Sequence, residues 1–414
     1  MKTLHMVLDG HEVGQLVQDD HGATRVTARQ TPGVPRVSLA FPASDIPVKP
    51  RLTRAYLAGL LPDNEDVRVA IARRFKVSPE SQFALMKVIG ADCPGAIQFL
   101  TDQQLEEPAT QALKPISDAE IAQRLRDFRA GQTDWGAPGE HWSLGGAQAK
   151  MALRSEGDAW HQAEGTAATS HIIKPGIARL RSQALIEHVS LRALGHLGLR
   201  VAESRFSYFE DQPAIIVKRF DRLWDDDGVL RRVHQEDLCQ STSTFPGKKY
   251  DVRAEDAIKV LRGGGASEEI ILEFVRAVIA NWVLAAPDAH GKNYSVVLGP
   301  TGVEALTPLY DVSTGLGYPD AEKVAMGFGG EKEIRKITGR HLLDFASAVG
   351  IDGEDTLVAA SSMAKIMPYA FLAAIVDARQ EAEMAGEDWE WLSATADRIA
   401  AHCEHVLTML ERTT

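Results

Sequence analysis

The hydrophobic period of this chain changes once, and that change constrains the fold more than any other feature. From residue 149 to 218 short apolar runs alternate with turn residues, interrupted by one helical pattern near 183–197. From about residue 253 onward most apolar spacing is helical, ending in a long run from Asp388 to Arg412. A strand-rich block followed by a helix-rich block implies an α+β fold with the two kinds of element segregated. A mixed unit precedes both. There "TLHMVL" and "HEVGQLV" flank Asp9-Gly10, a hairpin turn. Pro-rich loops follow from Thr31 to Pro50, then short helical patterns and the strand "GAIQFL", which closes the unit near residue 105. Residues 117 to 130 read as a helix opened by a capping box, Ser117 with Glu120, and stopped at Gly131. "GQTDWGAPGEH" reads as a linker. The expected organisation is an N-terminal subdomain over 1–105, a helix and linker over 106–142, and a two-lobed domain over 143–414. Its strand-rich lobe spans 143–222 and its helical lobe 223–414.

Charge narrows the partners. The 414 residues carry a net charge of -12, a poor balance for broad direct contact with nucleic acid or an anionic membrane. Cys93, Cys239 and Cys403 are far apart and form no Cys-x-x-Cys pair, so neither a zinc site nor a disulfide framework is indicated and a reducing cytoplasm is expected. Asp9 and His11 interrupt any signal-peptide core. The longest apolar stretch, Phe274 to Pro287, contains Arg276 and Asn281 and is too short to cross a bilayer; no membrane contact is expected.

"NWVLAAPDAHGKNYSVVL", Asn281 to Leu298, begins as an apolar helix and ends as an apolar strand, with Asp288, His290, Lys292 and Asn293 between them. Phosphoryl transfer needs a carboxylate to accept the attacking hydroxyl's proton and an oxygen ligand for Mg²⁺ beside it. Protein kinases take both from one loop with Asp and Asn at this spacing. The same residue types also suit a plain helix-to-strand turn. Downstream, "GVEALTPLYDVSTG" reads as a strand ending at Asp311, a second acid placed for Mg²⁺ or for capping the next turn. In "HWSLGGAQAKMAL", Gly145 and Gly146 allow backbone amides to approach an anion or make a hairpin turn, and Lys150 faces either solvent or ligand. "SHIIKPG" ends a short strand at Lys174, and Glu187 lies in the next helix; such a pair positions phosphates in kinases, or is a surface lysine and a solvated acid. "PAIIVKRFDR" is a strand leaving the lobe, followed by "HQEDLCQ", an acidic helix start by default.

Together these segments resemble the HipA family of serine/threonine kinases, the toxin halves of bacterial toxin–antitoxin pairs. The resemblance runs through "GLLPDNEDVR", "GADCPGAIQFL", "SLGGAQAKMAL", "HIIKP", "VKRFDR", "HQEDLCQ", "DAHGKNYSV" and "LTPLYDV", nearly the whole length. It implies a kinase-like domain similar in fold to phosphoinositide 3/4-kinases, using ATP and Mg²⁺. By resemblance Asp288 is the catalytic base, Asn293 and Asp311 are the Mg²⁺ ligands, and Lys174 holds ATP phosphates. The stretch Leu144, Gly145, Gly146, Ala147, Gln148, Ala149 and Lys150 is the phosphate-binding loop, and Ser143 before it is the autophosphorylation site. Lys218, Arg219 and Phe220 are the adenine-facing hinge, and Gln235 is a nucleotide contact. His290 and Lys292 are grouped with the ATP-binding residues as members of the loop motif, without a firmer role. The implied partners are a HipB-like helix-turn-helix antitoxin and, mainly through it, operator DNA. The implied substrate is a protein of translation such as an aminoacyl-tRNA synthetase. Lys218 stands where Glu would also suit, and the short segment after Lys174 reduces any activation-loop-like element. A catalytically weak corepressor and a lipid or metabolite kinase are the competing readings.

Overall fold

Asp9 and Gly10 both have positive φ, 46° and 80°, and turn β1 (Lys2–Leu8) back onto β2 (His11–Gln18) as their sequence implies. β3 (Thr24–Ala28) flanks the hairpin. The helices α1 (Pro50–Leu60), α2 (Glu65–Phe75) and α3 (Gln82–Ile89) follow, then β4 (Ile97–Leu100), which completes a sheet of order β3-β2-β1-β4, and the short α4 (Asp102–Glu106). α2 starts where the Asn64 side chain accepts from the Asp66 amide; its acids lie in the first turn and its arginines in the last, the polarity a helix dipole favours. The computed structural model describes residues 1–42, 46–106, 112–131, 135–136, 139–319, 321–381 and 386–413.

The second block departs from expectation at its start. β5 (Leu113–Ile116) precedes the capped helix α5 (Asp118–Arg129), whose Ser117–Glu120 capping box is present. β6 (Met151–Glu156), β7 (Ala159–Ala163), β8 (His171–Lys174), α6 (Gln183–His196), β9 (Ser204–Phe209) and β10 (Gln212–Lys218) follow. β5 pairs with β7 at the edge of a six-stranded sheet of order β5-β7-β6-β8-β10-β9. Residues 106–142 are therefore more than helix and linker. Trp135 and Trp142, within and just after the expected linker, are buried with ring centroids 4.9 Å apart. The rest of that linker at 132–134 and 137–138 lies outside the described residues.

β10 shows how the layers join. Its side chains alternate faces: Ala214 and Ile216 pack into a core with Leu4, Met6, Tyr56 and Met86 of the N-terminal unit. Ile215 and Val217 pack on the opposite side with Leu185, Val189 and the helical lobe. The N-terminal unit and the sheet thus share one hydrophobic core.

The helical lobe opens with small elements: β11 (Arg222–Trp224), β12 (Leu230–Arg232), β13 (Gln235–Asp237), α7 (Leu238–Ser241) and a 3₁₀ turn over Pro246–Asp251. α8 (Ala254–Gly263) and α9 (Glu268–Val283) lead to β14 (Ser295–Gly299) and β15 (Gly302–Leu306), which extend β13 into a three-stranded sheet. β16 (Lys323–Phe328) and β17 (Glu331–Glu333) form a hairpin before α10 (Gly339–Val349), α11 (Gly353–Glu381) and α12 (Gly386–Leu410). By length and composition α11 could cross a membrane, an exception to the expectation that Phe274–Pro287 was the longest apolar stretch. It instead packs on α6 and α12, burying Ala360, Ala364, Met367, Phe371, Ala374 and Ala378 along one stripe.

Candidate active site

A cleft of about 780 Å³ lies between the six-stranded sheet and the helical lobe, within the size range of small-ligand sites. Its floor is the loop after α9. Pro287 cannot continue that helix, and the loop is pinned beyond it. The Asn281 amide donates to the Tyr294 hydroxyl (2.8 Å), and the Tyr310 hydroxyl donates to the Lys292 carbonyl (2.8 Å). Asn293 Nδ2 donates to the carbonyl of Asp288 (2.7 Å) and reaches that of Asp311 (3.4 Å). This joins the two acidic positions and leaves the amide oxygen for a cation. Asp311 does not end a strand as expected. β15 stops at Leu306, and Asp311 follows in a loop with φ 58°.

Asp288 has a side chain that is 59% exposed. The Tyr250 hydroxyl donates to its Oδ1, and His290 Nε2 lies 3.7 Å from the same oxygen. Tyr250 and His290 meet edge to face, centroids 5.0 Å apart. Burial pushes the His290 imidazole down to about 4, so at neutral pH it is an uncharged neighbour of the carboxylate. Sequence reasoning missed Tyr250; nothing local distinguishes "GKKYD" from a surface turn.

Lys174, Glu187 and Asp311 form the expected constellation. Lys174 Nζ donates to Glu187 Oε1 (2.8 Å) and Asp311 Oδ1 (2.5 Å). Burial alone would push the Asp311 carboxyl up, but the ammonium groups of Lys174 and Lys150 hold it below the usual carboxylate range. Burial likewise works against the Lys174 ammonium, and Asp311 and Glu187 together raise it above its ordinary value. In the loop expected to bind phosphate, a side chain at Gly145 would sit 2.7 Å from the Gly59 carbonyl, and Gly146 has φ 99°, so both positions require glycine. Lys150 folds back to donate to the Gly145 carbonyl (2.6 Å). Burial, with help from Lys174, lowers it to about 8. Ser143 is buried: its hydroxyl donates to the Leu60 carbonyl (2.6 Å) and its amide to the Asp92 carbonyl (2.9 Å).

Three of the expected ATP-binding residues, Lys218, Arg219 and Lys292, line the cleft, but their charged ends are engaged by the protein itself. The Arg219 guanidinium is buried in a cluster with Asp92, Asp221 and Thr169, and its amide donates to the Ser170 carbonyl (2.8 Å). Lys218 gives its ammonium to Glu203 (2.9 Å) and its amide to the Glu203 carbonyl (2.9 Å). Of the expected hinge, Lys218, Arg219 and Phe220 all line the cleft, and the Phe220 ring packs 5.4 Å from Tyr310. Lys292 lines the cleft, but its ammonium is held by Asp63 at 2.7 Å.

Two observations bear on nucleotide and cation. Gln235 lines the cleft, and its Oε1 is buried without a partner, as an acceptor reserved for a ligand donor would be. Asp311 and Asn293 offer hard oxygen donors. Among the described residues no group of three or more His, Cys, Asp or Glu forms a protein-only metal cage. Mg²⁺ usually takes one or two protein oxygens and completes its shell with phosphates and water, so this donor set fits it.

Comparison with known proteins gives matches along both blocks. Residues 4–100 match the HipA N-terminal domain and residues 142–371 the HipA-like C-terminal domain. The putative kinase Y4mE of Sinorhizobium fredii is 32% identical, over 85% of this chain and 86% of its own length. The serine/threonine-protein kinase toxin HipA of Shewanella oneidensis is 30% identical, over 78% of this chain and 77% of its own. A solved structure of Shewanella oneidensis MR-1 HipA with HipB and operator DNA superposes with a TM-score of 0.86, covering 99% of each chain at 24% identity. It shows the same mixed α+β, kinase-like fold.

Proposed function

We propose a reaction for a chain that belongs, through both of its domains, to the HipA family of serine/threonine-protein kinases: transfer of the γ-phosphoryl group of Mg²⁺–ATP to a serine or threonine hydroxyl. The observation that carries it is the Lys174–Glu187–Asp311 chain of ion pairs facing Asp288 and Asn293 in one cleft. Asp288 accepts the proton as the hydroxyl oxygen attacks phosphorus, and ADP leaves. Lys174 and the amides of Gly145, Ala147 and Gln148 hold phosphates, Gln235 Oε1 accepts from the base's amine, and Phe220 walls the adenine. Asp311 and Asn293 hold Mg²⁺, which when bound neutralises charge on the transferred group. The finer likeness to phosphoinositide 3/4-kinases and a catalytic domain over 143–414 belong to the same reading.

Ser143 is the proposed self-phosphorylation site. Its hydroxyl is engaged by Leu60, so the loop has to leave that position before transfer. The HipB and operator DNA bound to the related chain support a helix-turn-helix antitoxin as partner here. With a net charge of -12, DNA contact falls mainly to that partner and the chain serves also as corepressor. A cytoplasmic location, a toxin's role and a translation protein as target complete the proposal.

The test is peptide mass spectrometry of wild type and Asp288→Asn after incubation with Mg²⁺–ATP. Phosphate on Ser143 in wild type alone is the expected result. Equal phosphate in both proteins would remove Asp288 from the reaction, and none in either would turn the proposal toward the corepressor alone.

A further inference from the structure

The corner between α1 and α2 belongs to the N-terminal unit, yet it reaches the cleft floor. Arg68 on α2 makes it rigid, donating from Nη1 to the carbonyls of Pro62 and Asp63, each at 2.8 Å. From this corner the Asp63 amide donates to the Gly146 carbonyl (3.0 Å). The Gly146 amide points back to Asp63 Oδ1 (3.4 Å). The same oxygen accepts from Lys292 Nζ at 2.7 Å, and that ammonium also reaches the Gly59 carbonyl at 3.4 Å. The pair is nearly sealed, the side chains 6% and 12% exposed. One carboxylate oxygen therefore ties the phosphate-binding loop to the catalytic loop.

Its charge also matters. Lys150 and Lys174 line the same cleft as Lys292, and like charges gathered in a partly dry site disfavour one another. Lys150 is pushed down by burial, Lys174 and Lys292 and pushed up by Asp311 and Asp63. Without Asp63 the Lys292 ammonium would keep the Gly59 carbonyl and the field of the buried Asp237 but no directly paired carboxylate, and would relax by moving, taking the loop of Asp288 and Asn293 with it.

We infer that Asp63 is a positioning residue for phosphoryl transfer, supplied to the site by the N-terminal unit. It holds Lys292 and the phosphate loop in a single geometry. The inference rests on the kinase reading above. It assigns the N-terminal unit a part in the chemistry.

The experiment uses the full chain carrying Ser143→Ala, so that self-modification cannot alter the loop. Asp63→Asn keeps the size and the backbone contact but removes the charge. Two quantities are read: turnover at saturating Mg²⁺–ATP with water as acceptor, and the Kd for Mg²⁺–ADP. A misplaced reacting group costs rate more than affinity, so turnover should fall about 10-fold or more while Kd moves less than about 3-fold. Adenosine, which has no phosphates, should bind Asp63→Asn and the parent alike. Because Asp63 acts through Lys292, Asp63→Asn combined with Lys292→Gln should lose no more than the worse single variant. Turnover within about 2-fold of the parent, a faster rate, or losses that multiply would each overturn the inference. If Asp63→Asn fails to fold, the double variant, which leaves a neutral pair, decides: a folded, slow protein supports positioning, and parental turnover overturns it. A parent that turns over no Mg²⁺–ATP, together with a chain retaining Ser143 that gains no phosphate, would overturn the kinase reading, and this inference with it.

Discussion

Two clusters of buried charge flank the exit of β10, and they differ in what can reach them. In the first, Asp92 accepts from Arg219 (3.1 Å), Arg222 (2.8 Å) and Arg232 (3.0 Å). Asp221 sits against Arg219 at 2.9 Å. Burial would push the Asp92 carboxyl up, but three guanidinium groups hold it well below the carboxylate range. The second is Lys174, Glu187, Asp311 and Lys150 at the cleft, where the Asp311 side chain is 36% exposed. Pairing is equally close in both. Access separates them: Asp92, Arg222 and Arg232 lie outside the cleft, whereas Lys174, Asp311 and Lys150 line it, so on the proposed kinase reading a phosphate would replace Asp311 at Lys174 and a cation would replace Lys174 at Asp311. What sets the second cluster apart is the partly exposed Asp311 carboxylate, against side chains only 2% and 6% exposed for Arg219 and Asp221.

Breaking each cluster should give opposite phenotypes. Asp288→Asn, on the cleft side, should reduce phosphoryl transfer by about 10²–10⁴-fold with an unchanged urea midpoint. Phosphate incorporation and equilibrium unfolding check this together; a lowered midpoint would mean that Asp288 is structural. Asp92→Asn, on the sealed side, strands three guanidinium groups and should cost about 3–5 kcal/mol of stability, read as a loss of urea midpoint at constant slope. A stable Asp92→Asn protein would erase the distinction between the clusters.

Smaller effects sharpen it. Tyr250→Phe removes the donor that orients Asp288 and should lower kcat about 10-fold with little change in KM for ATP. A change confined to KM would assign Tyr250 to nucleotide binding. The smallest effect is on pH. Lys150 is depressed to about 8 from the ordinary lysine value, so its charge is present at pH 7 and lost as pH rises through about 8. Mg²⁺–ATP affinity should weaken about 3-fold from pH 7 to 9 and be flatter in Lys150→Arg. A steeper profile in the arginine variant would exclude Lys150 as its source.

Much of this was legible where the determinants are local. The Asp9-Gly10 turn, the Ser117–Glu120 box and the Asp288–Asn293 spacing each lie within one short segment. The Lys174–Glu187 pair needed only a strand and the next helix. What was hidden depends on which face of the chain a side chain takes. Arg219 follows an apolar strand whose two faces are both buried, so its sequence could not tell cleft from sealed interior. Lys292 has a partner 229 positions away. Asp63 was in view in "GLLPDNEDVR", but only as part of the family resemblance, with no role of its own. α11 escaped notice as one helix because Pro368 lies within it and usually reads as a break. The bland reading of Asp237 was right: its side chain caps α7 in a capping box with Gln240.

The core shared by the N-terminal unit and β10 has a consequence for synthesis. Chains emerge from the ribosome amino end first and fold as units become complete. Leu4, Met6 and Met86 share their core with Ala214 and Ile216, so the first unit cannot finish burying its apolar face until β10 has been made. Roughly half of each new chain must remain shielded until then. Asp288 is translated later still. A ribosome that stalls before β10 should therefore release a substrate for chaperones and proteases, with no fragment able to phosphorylate anything.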